Sequence, residues 1–463
     1  MRFLPPSPPG GSGASPSPPP PVAPPTPPQR PPEVDVTRGR HRMHWSTVPF
    51  QVLLFTVVFL ALPGVMLMQF GAIVFVSIMS VAALGATGYA VLSWSRSFFE
   101  LNEDHLIVHT GLVRQLSREI PLSRLQAVDV VRPLLMQILG LAELRVELAG
   151  GDSGEIRLRY LSHGTAERLR ASLLAHAAGL SGRTPEAPEW PFYRLPFGLL
   201  LGALTFRVPV LSAFALLVAL LVAGYMFREL GVLGGAVPLL LGLIRGFHGP
   251  LLRYTDFYSS LSPDGLRLRY GIFQARMQTV PPGRVQAVRI VEPMLWRVLG
   301  VARVEANVAG YVGERQMDSS TLLPVAPRRT AFALVNELFP GTDAARVALH
   351  RAARGRSGNE AVGTDGGLVV TSHGTFTRVV EIVPEARVQT VRLTAGPLSR
   401  WRGIATVHVD TPPGPIRAHA AGRDIGEARR IVDGIAERGQ GARMSGTGPE
   451  RWATRSERPG PPS

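Results

Sequence analysis

The chain has 463 residues, a formal net charge of +15, no cysteine and no lysine, so all 49 of its basic residues are arginine. Disulfide frameworks, Cys-ligated metals and thiol nucleophiles are excluded, and so are Schiff-base, P-loop and kinase-type lysine chemistry. Mean hydropathy is positive although much of the chain is rich in Pro and Arg, so the apolar residues must be concentrated in blocks, as membrane spans are.

The basic balance suits anionic lipid headgroups or nucleic acid. The arginines are spread along the chain without a nucleic-acid-binding motif, so nucleic acid is not expected as a partner. Exclusive use of Arg also fits a GC-rich genome.

Residues 1 to about 34 are dominated by Pro, Gly, Ser and Ala and cannot bury a core, so a disordered, extended tether is expected over 1–40. No apolar stretch follows Met1-Arg2-Phe3-Leu4, and a cleaved leader is not expected. Residues 45–94 read as a first transmembrane hairpin, with apolar blocks at Val48–Leu67 and Phe70–Leu92 and no charge in either. Each is about the length that crosses a ~30 Å hydrocarbon core. Arg38, Arg40 and Arg42 precede the hairpin and Arg96 follows it, which places both ends in the cytoplasm.

A soluble domain is expected over 95–180, and a second hairpin over 195–250 with spans at Val208–Phe227 and Leu230–Phe247. Arg194 and Arg207 before it, with Arg245 and Arg253 at its end, again put both ends inside. The apolar stretch Leu195–Phe206 is too short to cross and is read as interfacial or packed beside the bundle. Arg207 either snorkels at the interface or, if embedded, marks a polar path through the hairpin. Soluble domains follow at 253–340 and 360–438, then a loose tail over 439–463.

Self-comparison shows that the soluble parts repeat. Gly111-Leu112-Val113, Ile120-Pro121-Leu122-Ser123-Arg124-Leu125-Gln126-Ala127-Val128, Pro133-Leu134-Leu135 and Ile138-Leu139-Gly140-Leu141-Ala142 recur 160 residues later without a gap. They become Gly271-Ile272-Phe273, Val280-Pro281-Pro282-Gly283-Arg284-Val285-Gln286-Ala287-Val288, Pro293-Met294-Leu295 and Val298-Leu299-Gly300-Val301-Ala302. A weaker third copy lies 103 residues further on, with Gly374-Thr375-Phe376, Val383-Pro384-Glu385-Ala386-Arg387-Val388-Gln389-Thr390-Val391 and a Pro397 one position out of register. Alternation predicts strands on both sides of the Arg-x-Gln stretch. Pro133 and Pro293 are expected to open a short helical turn, and helices at 165–178, 327–338 and 425–437 to close the copies.

The pattern apolar-Pro-x-x-Arg-apolar-Gln-x-Val, followed by Pro-Leu and a Leu-Gly-apolar-Ala turn, resembles the bacterial pleckstrin-homology (PH) domains of the YdbT-like membrane proteins. The resemblance covers roughly residues 45–437; the third copy departs from it at Glu385-Ala386 and around Pro397. It implies an α+β membrane protein with two transmembrane helical hairpins, four spans in all. Three PH-like domains, each a bent seven-stranded β-barrel closed by its C-terminal helix, complete the expected architecture.

No catalytic constellation is present: G-x-G-x-x-G, G-x-S-x-G, H-E-x-x-H and G-K-[ST] are all absent, and the histidines lack ligand spacing. No enzyme activity, cofactor or metal is therefore expected. The Arg-x-Gln pairs, Arg124/Gln126, Arg284/Gln286 and Arg387/Gln389, are the polar feature common to all three copies. Such an arginine either binds a phosphate or carboxylate bidentately or satisfies carbonyls at the edge of the barrel. The leading expectation is a multi-pass plasma-membrane adaptor whose cytoplasmic domains meet protein partners or anionic lipid, in envelope maintenance or antimicrobial resistance. The competing readings are a transport or export component and a scaffold with enzymatic activity in the third copy.

Overall fold

The computed structural model describes residues 40–444 apart from 61–67, 103–104, 111–115, 123–124, 149–154, 178–188, 229–230, 232–234, 263–264, 282, 310–319, 353–359, 366 and 413. The Pro-rich N-terminal segment, the last nineteen residues, Gly111 and Arg124 lie outside the described residues.

The first repeat opens with β1 (Arg40–Arg42), continues through α1 (Thr47–Phe59) and α2 (Ala72–Arg96), and returns as β2 (Phe98–Leu101), β3 (His105–Thr110) and β4 (Leu116–Pro121). These four strands form one antiparallel sheet in sequence order. Then come β5 (Leu125–Pro133), the short α3 (Leu134–Ile138), β6 (Leu141–Leu148), β7 (Glu155–Ser162) and α4 (His163–Ala177). Phe99, Leu101, Leu106, Ile120, Val128, Leu144 and Leu169 are buried together, so both strand groups and the closing helix share one core.

The second repeat follows the same plan. It comprises β8 (Trp190–Arg194), α5 (Phe197–Thr205), α6 (Val208–Phe227), α7 (Ala236–Tyr254), β9 (Tyr258–Ser262), β10 (Gly265–Tyr270) and β11 (Gln274–Val280). Its second half is β12 (Val285–Pro293), α8 (Met294–Val298), β13 (Val301–Val308), β14 (Thr321–Pro327) and α9 (Arg328–Leu338). The third repeat has β15 (His350–Arg351), β16 (Ala361–Asp365), β17 (Leu368–His373), β18 (Thr377–Pro384), β19 (Thr390–Thr394), α10 (Pro397–Trp401), β20 (Ile404–Asp410), β21 (Ala418–Asp424) and α11 (Ile425–Met444). Helix α11 runs past the boundary at 438 that the sequence suggested.

The displaced Pro397 has a local explanation. Pro133 and Pro293 stand just before α3 and α8, at the ends of their strands, whereas Pro397 is itself the first residue of α10. Both positions suit proline, because its missing N–H would lack an intrahelical partner there anyway. At the hairpin turns Gly271 and Gly374 take φ of +97° and +93°, and a Cβ on either would collide with a carbonyl oxygen, of Gln274 or Thr377. Glycine is required at both on steric grounds.

The structure refines three expectations. The first strand of each of the first two repeats precedes the apolar helices, so a hairpin is inserted between the first and second strands and does not merely stand in front of a domain starting at 95 or 253. No ladder closes a barrel among the described residues. The seven strands of a repeat divide into a four-stranded and a three-stranded group, and the groups of neighbouring repeats join edge to edge. Lastly, two helices, Ala72–Arg96 and Val208–Phe227, are long and apolar enough to cross a membrane. Their side chains point outward, with Ile73 85% and Phe227 75% exposed, a surface suited to lipid and costly in water. Helix α1 has 13 residues as described. Helix α7 has 19, but Arg245, His248 and Arg253 lower its hydropathy.

Helix α5 settles the short apolar stretch before the second span. Its Leu200, Ala203 and Leu204 are buried in the core of the second repeat, and the indole Nε1 of Trp296 donates to the Ala203 carbonyl at 2.9 Å.

Candidate functional site

The repeats are joined by strand pairing. Strand β5 pairs antiparallel with β11, setting Pro133 opposite Gln274 and Val131 opposite Arg276. Strand β12 pairs with β18, setting Pro293 opposite Thr377 and Arg289 opposite Glu381. Pro133 and Pro293 are separated by the repeat offset of 160, and Gln274 and Thr377 by that of 103, so both seams use the same register. Each seam makes a seven-stranded sheet, in the orders β7-β6-β5-β11-β10-β9-β8 and β14-β13-β12-β18-β17-β16-β15.

Side chains reinforce both seams. The buried Arg170 of α4 donates from Nη1 to Thr279 Oγ1 of β11 at 2.7 Å. At the second seam the Arg289 guanidinium donates to Glu381 Oε1 from Nε at 3.2 Å and from Nη2 at 2.9 Å, and also to the Pro415 carbonyl at 2.8 Å. Buried Glu292 lies 3.0 Å from Arg328 of α9 and 3.9 Å from Arg378 of β18. Charge-assisted contacts of this kind fix register as well as adding energy.

The same strand positions are left open at the two ends of the array. Among the described residues β4 pairs only with β3, and β19 only with β20. These are the counterparts of β11/β18 and of β5/β12. Four of the five residues of β19 are exposed. Arg392, on this strand, is clasped by Asp410 of β20, donating from Nη2 to Oδ1 at 3.0 Å. The Arg392 guanidinium holds the Asp410 carboxyl below its usual range.

The Arg-x-Gln residues divide between the seams and the surface. Arg284 donates from Nη2 to the Leu125 carbonyl of the first repeat at 3.4 Å. Gln286 is buried and turns back onto the Gly283 and Arg284 carbonyls at 3.4 and 3.3 Å. Arg387 is half-buried in a helical turn before β19, and Gln389 is exposed. Gln126 lies on β5, one residue beyond Leu125; its partner Arg124 is outside the described residues.

A cavity of about 320 Å³ lies where the second hairpin meets the second repeat. Its walls bring together Arg207 before α6, Arg253 and Tyr254 at the end of α7, Arg303 on β13 and Trp296 on α8; no lining residue is acidic. Arg303 lies 3.0 Å from Glu305 and donates to Thr321 Oγ1 at 2.8 Å. The Arg253 guanidinium sits 5.5 Å from the Tyr254 ring centroid. Burial, and after it the charge of Arg303, push Arg207 below the ordinary arginine value. Sequence reading singled out Arg207 and, as a flanking charge, Arg253, but neither Arg303 nor the convergence of the three from positions about 50 and 100 residues apart.

A third grouping also escaped the sequence. His373, Glu381 and His419 place one donor atom each within 4.8 Å of one another. Burial lowers the pKa of His373, favouring neutral imidazole, the form that ligates metals. The Glu381 carboxylate, however, is already held by Arg289 and by Thr371 at 3.4 Å. A cation would have to share it with a guanidinium, and three ligands fall short of a closed tetrahedral set.

Comparison with known proteins agrees with this architecture. The family model described as Bacterial PH domain matches three times, over residues 54–177, 199–341 and 352–439. The UPF0699 transmembrane protein YdbT of Bacillus subtilis (strain 168) is 25% identical over 269 residues, which is 51% of this chain and 54% of that protein. The chain therefore spans about half the length of the curated relative it matches.

Proposed function

The chain belongs to the bacterial PH domain family, and from that membership we propose that it is a membrane-integral scaffold recruiting a further PH-like domain by adding its edge strand to β19. The carrying observation is that one seam geometry is used twice in the chain while its third instance, at β19, has no partner strand among the described residues. Strand addition gives affinity through the main chain and specificity through facing side chains. In this reading both hairpins cross the membrane twice, and the flanking arginines keep all three domains cytoplasmic. The chain carries out no catalysis of its own.

Charge selects the partner. In the shared register, Arg392 of β19 would face residue 118 of a β4-type strand, where the second seam has Arg289 facing Glu381. Residue 118 of this chain is arginine, so a second copy would set like charges in opposition, which destabilises a strand pair. The fitting partner carries an acidic residue there, and charge on an exposed edge also guards against self-association.

A photo-crosslinking side chain at Leu393 in the full-length protein, activated in its own membranes, tests the proposal. The expected product joins this chain to another bacterial PH domain protein. Adducts with lipid alone, or with β4 of a second copy, would overturn it. The transport reading has one observation on its side, the cavity beside α5, α6 and α7. In this Cys-free chain, an Arg207→Cys variant labelled by impermeant reagents from both faces of the membrane would support transport; labelling from one face argues for the scaffold.

A further inference from the structure

We infer that the arginine-lined cavity at the base of the second repeat binds a phosphate anion through Arg207, Arg253 and Arg303. Two observations carry the inference. The guanidiniums come from three separate elements and converge on one cavity without an acidic lining residue. Glu305, the carboxylate beside Arg303, is shared with Arg289 at 3.8 Å. Like charges gathered at a half-exposed site repel one another, and a bound anion relieves that repulsion.

The first repeat supplies an internal comparison. Arg303 faces Val291 across the β12/β13 ladder just as Glu143 faces Val131 across β5/β6. Glu143 is buried and gathers Arg145, Arg157 and Arg159 at 2.9, 4.0 and 3.6 Å. At that position the first repeat therefore provides its own anion, held by three arginines. The second repeat has an arginine there, and further arginines enter from the hairpin. The pair itself is kept with its members exchanged, Arg303 with Glu305 at 3.0 Å in place of Glu143 with Arg145, so the hairpin arginines gather where no central carboxylate stands, and the inferred anion would take that place.

Shape and position define the ligand class. The volume, about 320 Å³, is many times the ~30 Å³ share of one water, so a phosphate and part of an attached group fit. Guanidinium forks match phosphate oxygens bidentately. Leu200, Leu204, Pro250 and Val325 add apolar wall, suited to the glycerol and upper acyl carbons of a phospholipid. The cavity also adjoins the start of α6 and the end of α7, which in the proposed topology would face the headgroup layer. Two sources share this chemistry, a lipid phosphate and a free phosphate ion.

The test uses the full-length protein with Arg207→Gln and Arg303→Gln variants, and with Arg329→Gln, outside the cavity, as control. Arg207 has no carboxylate within ion-pair distance among the described residues, so its loss is separable from folding. Each protein is delipidated in neutral detergent, reconstituted with equimolar synthetic phosphatidylglycerol and phosphatidylcholine, and the retained lipid is counted by mass spectrometry. A parallel titration uses inorganic phosphate alone, followed by calorimetry. The expected result is selective retention of phosphatidylglycerol, falling about tenfold or more in each cavity variant with the control unchanged, as loss of a charge-assisted contact predicts. Phosphate binding with the same arginine dependence and no lipid selectivity would also support the site and assign it to the free ion. Retention unaltered in both folded variants, or no binding in either arm, would overturn the inference.

Discussion

Replacing Arg289 by methionine should open the seam between the second and third repeats. The guanidinium faces a carboxylate that is 1% exposed, at 2.9 Å, while Arg289 itself is 23% exposed. At an effective dielectric of 20 the Coulomb attraction at that distance is about 6 kcal/mol before desolvation is subtracted. Removing one partner of a buried pair costs about 3–5 kcal/mol, because the other is left charged in a dry site. In the variant Glu381 keeps Thr371 at 3.4 Å, so the low end of that range, about 3 kcal/mol, applies. Hydrogen exchange read on peptides covering Thr377–Pro384 should then accelerate about 150-fold, at 1.4 kcal/mol per tenfold. The double variant Arg289→Met/Glu381→Leu removes both charges and should recover most of the protection. Equal exchange in the single and double variants, or acceleration spread evenly over β9 and β10 as well, would refute the view that this pair holds the seam.

Four further outcomes are expected. Gly374→Ala should cost about 2 kcal/mol or more from its positive φ and the clash with the Thr377 carbonyl, whereas Gly300→Asn, with φ of +66° and open space around the Cβ, should cost less than about 1 kcal/mol; thermal unfolding by tryptophan fluorescence compares them. Trp296→Phe removes the hydrogen bond to Ala203 and should cost about 1 kcal/mol, seen as faster exchange over Phe197–Thr205. Burial raises Glu189, but the hydrogen bond from Arg267 and the charges of Arg269 and Arg267 outweigh it and hold the carboxyl below its ordinary value. That contribution to stability is therefore full above the ordinary glutamate pKa of about 4.3 and lost as pH falls through the lower folded value, and Glu189→Gln should flatten the dependence of melting temperature on pH there. Finally, an Arg132→Cys/Ala275→Cys pair, opposed across the first seam, should form an intramolecular disulfide, while Thr394→Cys and Leu116→Cys should form none between copies; non-reducing electrophoresis reads both.

What was legible in the sequence was whatever a single segment encodes. The uncharged runs ending at Leu92 and Phe227 announce helices α2 and α6, and the exact 160-residue offset announces the repeated strand pattern from Leu125 to Ala142. Hidden features depended on short or distant residues. Strands β1 and β15 are three and two residues long, too short for alternation to register. The seams were invisible because each strand carries the same pattern whether its neighbour lies in its own repeat or the next; what marks them is pairs distant in sequence, such as Arg289 and Glu381, 92 residues apart, or Arg170 and Thr279. The cavity was hidden for the same reason, since Arg253 reads alone as a flanking charge of the hairpin and Arg303 as a routine strand arginine.

The insertion of each hairpin after the first strand orders events in time. Strand β8 is synthesised before the whole segment between Arg194 and Tyr258, yet it pairs with β9 on the far side of it. At about 5–20 residues per second that gap lasts on the order of several seconds. In the topology proposed above, the apolar segment must reach the bilayer and turn back during that time for β8 and β9 to meet, so completion of the sheet would report correct insertion. In the same topology, a hairpin of which only one helix crossed would leave half a domain on each side of the bilayer, open to degradation.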